Sequence, residues 1–205
     1  MGETFYTDDM NNYNFGKLID GHIEYAPSPV INGDVQIITD DPNVMLALGW
    51  KRIVRTPSPI SEIVFSEHYI EDESSITIEW REDLTATKNK VLAQITAYDE
   101  SNNVNGFFLN DVEIWKDHND RTALERAVDK WEADGHTTYV LCDEKLGKVE
   151  VSITTMRQIF KDVEVYAIKC FQNTFEHKQN VLAATTCDDV INYDFTTGYP
   201  EKPRF

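Results

Sequence analysis

The chain has 205 residues and a formal charge of −17, from 19 Lys+Arg against 36 Asp+Glu; such a length makes one large domain or two small ones. With 41% apolar, 11% aromatic and 27% charged residues it can bury a core, which excludes wholesale disorder. The acidic balance argues against nucleic acid, whose phosphates need Lys and Arg, and against an anionic membrane surface.

The opening MGETFYTDDMNNYN has neither the basic nor the apolar region of a secretory signal. A myristoylation motif would want Ser or Thr where Tyr6 stands. No window approaches the ~20 apolar residues of a transmembrane helix. Cys142, Cys170 and Cys187 are odd in number and widely spaced. Three reduced thiols made in a cytoplasm is the simple reading; a bridge between two of them, or one across a dimer, is the other.

Residues 1–12 hold three acids and no base, and read as an arm. From Tyr13 onward, two short apolar runs flank Asp20-Gly21, the strongest short-range hairpin signal. Asn32-Gly33 marks a second turn, and Pro27 and Pro29 forbid one continuous central strand between the two. Asp41 through Gly49 spells a short helix: cap, proline in the first turn, apolar body, glycine stop. Trp50 to Thr56 is strand-like, and Thr56-Pro57-Ser58-Pro59 is a stiff break. Ile63-Val64-Phe65 and Ile76 to Trp80 then read as paired strands around a longer acidic turn.

Residues 84–99 carry apolar positions spaced by three and four, an amphipathic helix that reads as a bridge to a second module. A hairpin about Asn110-Asp111 follows, then a helix with Thr122-x-x-Glu125 as capping box and Gly135 as its stop. A further hairpin turns at Leu146-Gly147. The longest element, residues 154–184, has Thr155-x-x-Gln158 as its cap, and Met156, Ile159, Phe160, Val163, Tyr166, Cys170, Thr174 and Val181 recur at helical spacing. A helix of ~40 Å projects beyond a small module unless something packs along it. Phe160 and Val163 are therefore the expected packing face toward another subunit or module. The aromatic, turn-rich end, from Asn192 to Pro200, is expected to wrap back over its module.

The fold class expected is α+β: an N-terminal arm (1–12), a β-rich module (13–84), a bridging helix (85–101) and a hairpin–helix–hairpin–long-helix module (102–205). No glycine-rich phosphate cradle, GxSxG or HExxH occurs. Glu67-His68 with Glu71, Asp72 and Glu73 is the densest run of potential ligands, and reads as a solvated turn tip. Asp117-His118-Asn119-Asp120 resembles the start of a calcium loop without its glycine or closing Glu, and reads as a turn supplying negative charge to a helix N-terminus. His177 reads as surface or core edge. Trp50, Trp80, Trp115 and Trp131 read mainly as packing residues. The expectation is no catalysis, no cofactor and no metal.

Tyr98-Asp99-Glu100-Ser101, Val104-Asn105-Gly106-Phe107, Leu109-Asn110, Trp115 and Asp117, then Glu164 to Cys170 and the terminal YDFTTGYPEK, carry a resemblance over about residues 85–205. They resemble a domain common at the C-terminus of proteins from tailed phages and prophages of gut Bacteroidales. Tyr13 to Lys17, Gly21, Glu24 to Pro27, and Leu48 to Lys51 resemble the start of the same proteins, crAss-like phages included. Residues 1–12 depart from that pattern as an extension.

The resemblance implies a virion- or fibre-associated protein made in the host bacterial cytoplasm. It would be a structural or adaptor component of head or tail fibres and a homo-oligomer, with other phage structural proteins as partners. The alternative is an assembly chaperone that helps fibre proteins trimerise and then leaves. The resemblance carries no catalytic residue across. Within the extension, Phe5 and Tyr6 are the apolar groups able to anchor a docking peptide; the other reading is that the arm folds back on its own chain.

Overall fold

The structure, a computed structural model, describes residues 12–205. The fold is α+β, and the chain divides between Asp83 and Leu84 into two compact units.

The first unit is built on a five-stranded mixed sheet. Strands β1 (Asn12–Ile19) and β2 (His22–Ala26) form the hairpin expected at Asp20-Gly21, where φ is 50° and 80°. Two consecutive positive φ values make the type I′ geometry whose twist matches that of the strands. A smaller hairpin, β3 (Val30–Asn32) and β4 (Val35–Ile37), turns through Gly33-Asp34, one residue later than the expected Asn32-Gly33, because Asn32 pairs with Val35.

Helix α1 (Pro42–Ala47) is capped by Asp41, whose carboxylate accepts from the Asn43 amide at 2.8 Å. β5 (Lys51–Arg55) then enters the sheet beside β1, and β6 (Phe65–Glu71) and β7 (Ser75–Glu82) complete it in the order β2-β1-β5-β7-β6. β5 and β7 run parallel, so the Pro-rich segment after β5 carries the chain past β7's place to the sheet edge, where β6 runs, and β7 returns antiparallel to β6 to fill the gap beside β5. Ile76 and Ile78 alternate inward from β7, while Phe15, Val30, Met45 and Trp50 form the unit's main apolar cluster. Gly16 sits where β1 is paired on both sides; a Cβ there would lie 2.9 Å from the Glu24 carbonyl oxygen.

The acidic run corrects one expectation. Glu67, His68 and Glu71 lie along β6 rather than at a turn tip, and only Asp72 to Ser74 makes the turn. Phe65, Tyr69 and Ile70 supply the β-forming residues that carry the strand through its charges.

The second unit is organised along one helix. Its elements in order are α2 (Leu84–Asp99), hairpin β8 (Phe107–Leu109) and β9 (Val112–Ile114), α3 (His118–Ala133), hairpin β10 (Thr138–Asp143) and β11 (Gly147–Ser152), α4 (Ile153–Ala183) and α5 (Cys187–Ile191). α4 has 31 residues and is about 46 Å long at 1.5 Å per residue. Its N-terminal half is covered by both hairpins and α3, around Phe107, Ile114, Val128, Leu141, Ile159 and Val163. Its C-terminal half is covered by α2 and α5, where Val91 and Ile95 meet Val181 and Val190. The segment read as a bridging helix is thus α2, an integral layer of the second unit. Two of its three buried side chains face α4 and α5 and cannot be left in water without cost.

The helix starts also differ from expectation. Asp117 caps α3 by accepting from the Asp120 amide at 2.8 Å, so Thr122 falls inside the helix and donates back to the His118 carbonyl at 2.9 Å. Ser152 caps α4 through the Thr155 amide at 3.1 Å, three residues ahead of the expected Thr155 cap. In both cases a better-placed oxygen lies just upstream. After α5 the chain does wrap back. Tyr193 and Phe195 pack on the α2–α4 layer, and residues 203–205 lie along β8, with the Phe205 amide donating to the Phe108 carbonyl at 2.9 Å.

Candidate functional site

The C-terminal half of α4 carries two different surfaces. Toward its own unit it presents Tyr166, Cys170, Thr174, His177 and Val181, spaced by four, four, three and four residues and all buried. The polar members of this row hold the returning C-terminal segment. Thr174 Oγ1 donates to Asp99 Oδ1 at 2.7 Å and lies 2.9 Å from the Tyr199 hydroxyl, which can donate to it.

His177 is tied at both ring nitrogens. Nε2 lies 2.9 Å from both the Thr197 carbonyl oxygen and Asn173 Nδ2, and Nδ1 lies 2.7 Å from the Tyr193 hydroxyl; with the proton on Nε2, the ring donates to the carbonyl and Nδ1 accepts from the hydroxyl. Asn180 donates to that same hydroxyl oxygen at 2.9 Å. Among the described residues, no buried side-chain nitrogen or oxygen lacks a partner. Burial pushes the Tyr166 and Tyr199 phenols and the Cys170 thiol up, so that thiol stays protonated at neutral pH. This row ties two segments to the helix: residues 193–199 through Thr174 and His177, and the end of α2 with the turn after it through Thr174 to Asp99 and the Tyr166 hydroxyl to the Val104 carbonyl. His177, read from sequence as surface or core edge, is one of its buried members.

Elsewhere the polar groups are likewise engaged with each other. Lys116 and Asp143 pair at 2.8 Å beside exposed Cys142, in an open cleft of 390 Å³, and the Lys116 hydrogen bond holds the Asp143 carboxyl below the usual range. On β6, Tyr69 donates to Glu67, which raises the phenol to about 12. Among the described residues, no group of three or more His, Cys, Asp or Glu is placed to hold a metal ion. No described helix is long and apolar enough to cross a membrane. All three cysteines are free thiols.

The residues expected at a partner surface separate into two kinds. Phe5 and Tyr6 lie outside the described residues. Phe160 and Val163 are core residues: 8% and 0% exposed, they pack with Phe107, Val128 and Met156 inside the second unit. The reading of them as a packing face toward another subunit or module is therefore corrected: they pack within the second unit. Two hairpins and α3 fold over the N-terminal half of α4 and consume the face that a sequence count leaves uncovered.

A second apolar row, missed in the sequence, does remain open. Ile168, Phe171, Phe175 and Leu182 are exposed, Phe171 at 68%, and Val165 flanks them. Successive steps of three, four and seven residues put them on one stripe about 21 Å long, beside the buried row. Asp162, Lys169, Asn173, Glu176 and Asn180 make the remaining, polar face. The signal was available: α4 is apolar around more of its circumference than a helix with one covered face requires.

Comparison of the chain with protein-family models, with curated proteins and with solved structures found no match.

Proposed function

We propose that this chain is a structural or adaptor component of a bacteriophage virion, in head or tail fibres, that acts by protein–protein binding. The observation that carries the binding part is the open apolar stripe of α4, held rigid by a core on one side and by the clamped C-terminal segment. An exposed row of two Phe, one Ile and one Leu on a fixed helix is a surface that stays costly in water until a partner covers it. The phage part is supported by the resemblance of residues 85–205 and of the Tyr13–Lys51 segments to proteins of gut Bacteroidales phages. The abundant acidic charge elsewhere keeps unassembled copies apart and soluble until that stripe is engaged.

Mass spectrometry of purified particles of the phage that encodes the chain tests this reading. The chain is expected at fixed stoichiometry with the other structural proteins. Its absence from particles, with recovery in complex with fibre proteins from infected cells, would replace the structural role by that of an assembly chaperone.

A further inference from the structure

We infer that the open stripe of α4 is covered by the same stripe of a second copy of this chain, with the two helices antiparallel and crossing at Phe171. The inference rests on the protein-binding reading above and names its partner.

Three observations on the stripe select this occupant. The first is area. Side chains exposed to this degree offer on the order of 500 Å² of apolar surface. A stable pair buries about 800 Å² per partner, somewhat over half of it apolar, so the stripe supplies the apolar part of one such interface.

The second is charge. On α4 itself the positions on and flanking the stripe carry Lys161, Glu164 and Lys178, one base in excess, within a chain of formal charge −17. Two copies can approach along this face without the repulsion that the acidic remainder of the surface imposes.

The third is register. Antiparallel helices centred near Phe171 bring Ile168 opposite Phe175 and Glu164 opposite Lys178, each twice, as a two-fold axis requires. Glu164 already receives Arg121 Nε on Oε1 at 2.7 Å, which leaves Oε2 for Lys178 of the other copy. Parallel helices would instead set Lys178 against Lys178 and Glu164 against Glu164. The same stripe is thus self-complementary in one direction only.

Sedimentation equilibrium of the full chain is the first measurement. It is expected to give twice the chain mass of 23.6 kDa. Phe171→Glu is expected to return the mass to that of one chain with far-UV circular dichroism and Tm unchanged, because Phe171 makes no part of the core. For direction, Phe171→Cys in a Cys142→Ser background is expected to form an interchain disulfide with oxidised glutathione, and Leu182→Cys to form none.

A single-chain mass at all concentrations overturns the pairing, as does a dimer that survives Phe171→Glu or that cross-links through Leu182→Cys. A monomer whose Tm falls on Phe171→Glu would place another part of the same chain on the stripe and overturns it too. The two readings fail separately: a chain present in particles but monomeric in solution loses only the pairing, and a dimer absent from particles loses only the virion role.

Discussion

His177 Nδ1 and the Tyr193 hydroxyl lie 2.7 Å apart, and through this contact the long helix holds the segment that closes its own unit. The hydroxyl also receives Asn180, so one oxygen serves two side chains of α4. Tyr193→Phe would leave Nδ1 of a buried imidazole and the Asn180 amide without their shared hydroxyl partner, at a cost of about 1–3 kcal/mol. The expected result is a lower urea midpoint with an unchanged m value. An unchanged midpoint would mean that water replaces the hydroxyl freely.

Phe160 is inside the second unit, so truncating it is an act against folding and not against assembly. Phe160→Ala removes a ring packed among Phe107, Met156 and Val163 and should cost about 3–5 kcal/mol. Thermal denaturation should show the loss whatever the concentration of protein. A variant that kept its Tm and lost only self-association would return Phe160 to the surface.

Gly16 is required for close approach rather than for its backbone angle. A Cβ at this position meets the Glu24 carbonyl oxygen and Ile23 Cγ2, both at 2.9 Å, in a strand paired on both sides. Neither neighbour can retreat without opening the sheet. Gly16→Ala should destabilise the first unit by about 1–3 kcal/mol. Calorimetry should register it as a lowered midpoint, whereas Gly21→Asn, with open space around it, meets no clash and should cost only the backbone strain of a side chain at φ 80°.

Asp72 predicts an acid dependence. Its carboxylate accepts the Ser74 amide at 2.7 Å and the Ser75 amide at 2.6 Å, with the Ser75 hydroxyl at 2.8 Å, and these bonds bring it to about 2. The folded value lies below the unfolded one, so the turn's contribution is full above about pH 4 and is lost as pH falls through 2. Carbon-13 titration of the Asp72 carboxyl should give a midpoint near 2. Asp72→Asn should flatten the fall in stability between about pH 4 and 2, since the amide has no such proton to take up.

Local chemistry was the most legible part of this fold. Asp20-Gly21 and Asp41-Pro42 each specify their structure within a few residues, and both elements form where the sequence puts them. α3 starts at Asp117 and not at Thr122 because the Asp117 carboxylate reaches the Asp120 amide, while Thr122, inside the first turns, spends its hydroxyl on the His118 carbonyl. In β6 the charges of Glu67, His68 and Glu71 give the pattern of a turn, while Tyr69 and Ile70 between them keep the strand.

The site was the least legible. Periodicity placed Phe160 and Val163 on an apolar face of α4, and could not say that β8 to β11 would cover it, since that depends on residues up to about fifty positions away. Ile168, Phe171, Phe175 and Leu182 follow the same spacing on a neighbouring arc, and nothing short of the folded unit tells which of two apolar arcs is left open.

The layering of α2 on α4 and α5 has a consequence for synthesis. Val91 and Ile95 find their partners Val181 and Val190 only after some ninety further residues have been added. At about 5–20 residues per second, α2 waits on the order of 5–20 seconds beside the ribosome with its apolar face unmatched. The first unit, whose strands pair within residues 12–82, can close before then. The nascent chain is therefore most open to aggregation while α2 is out and α4 is not, and trigger-factor-like holding in that interval should raise its yield more than any stabilisation of the finished fold.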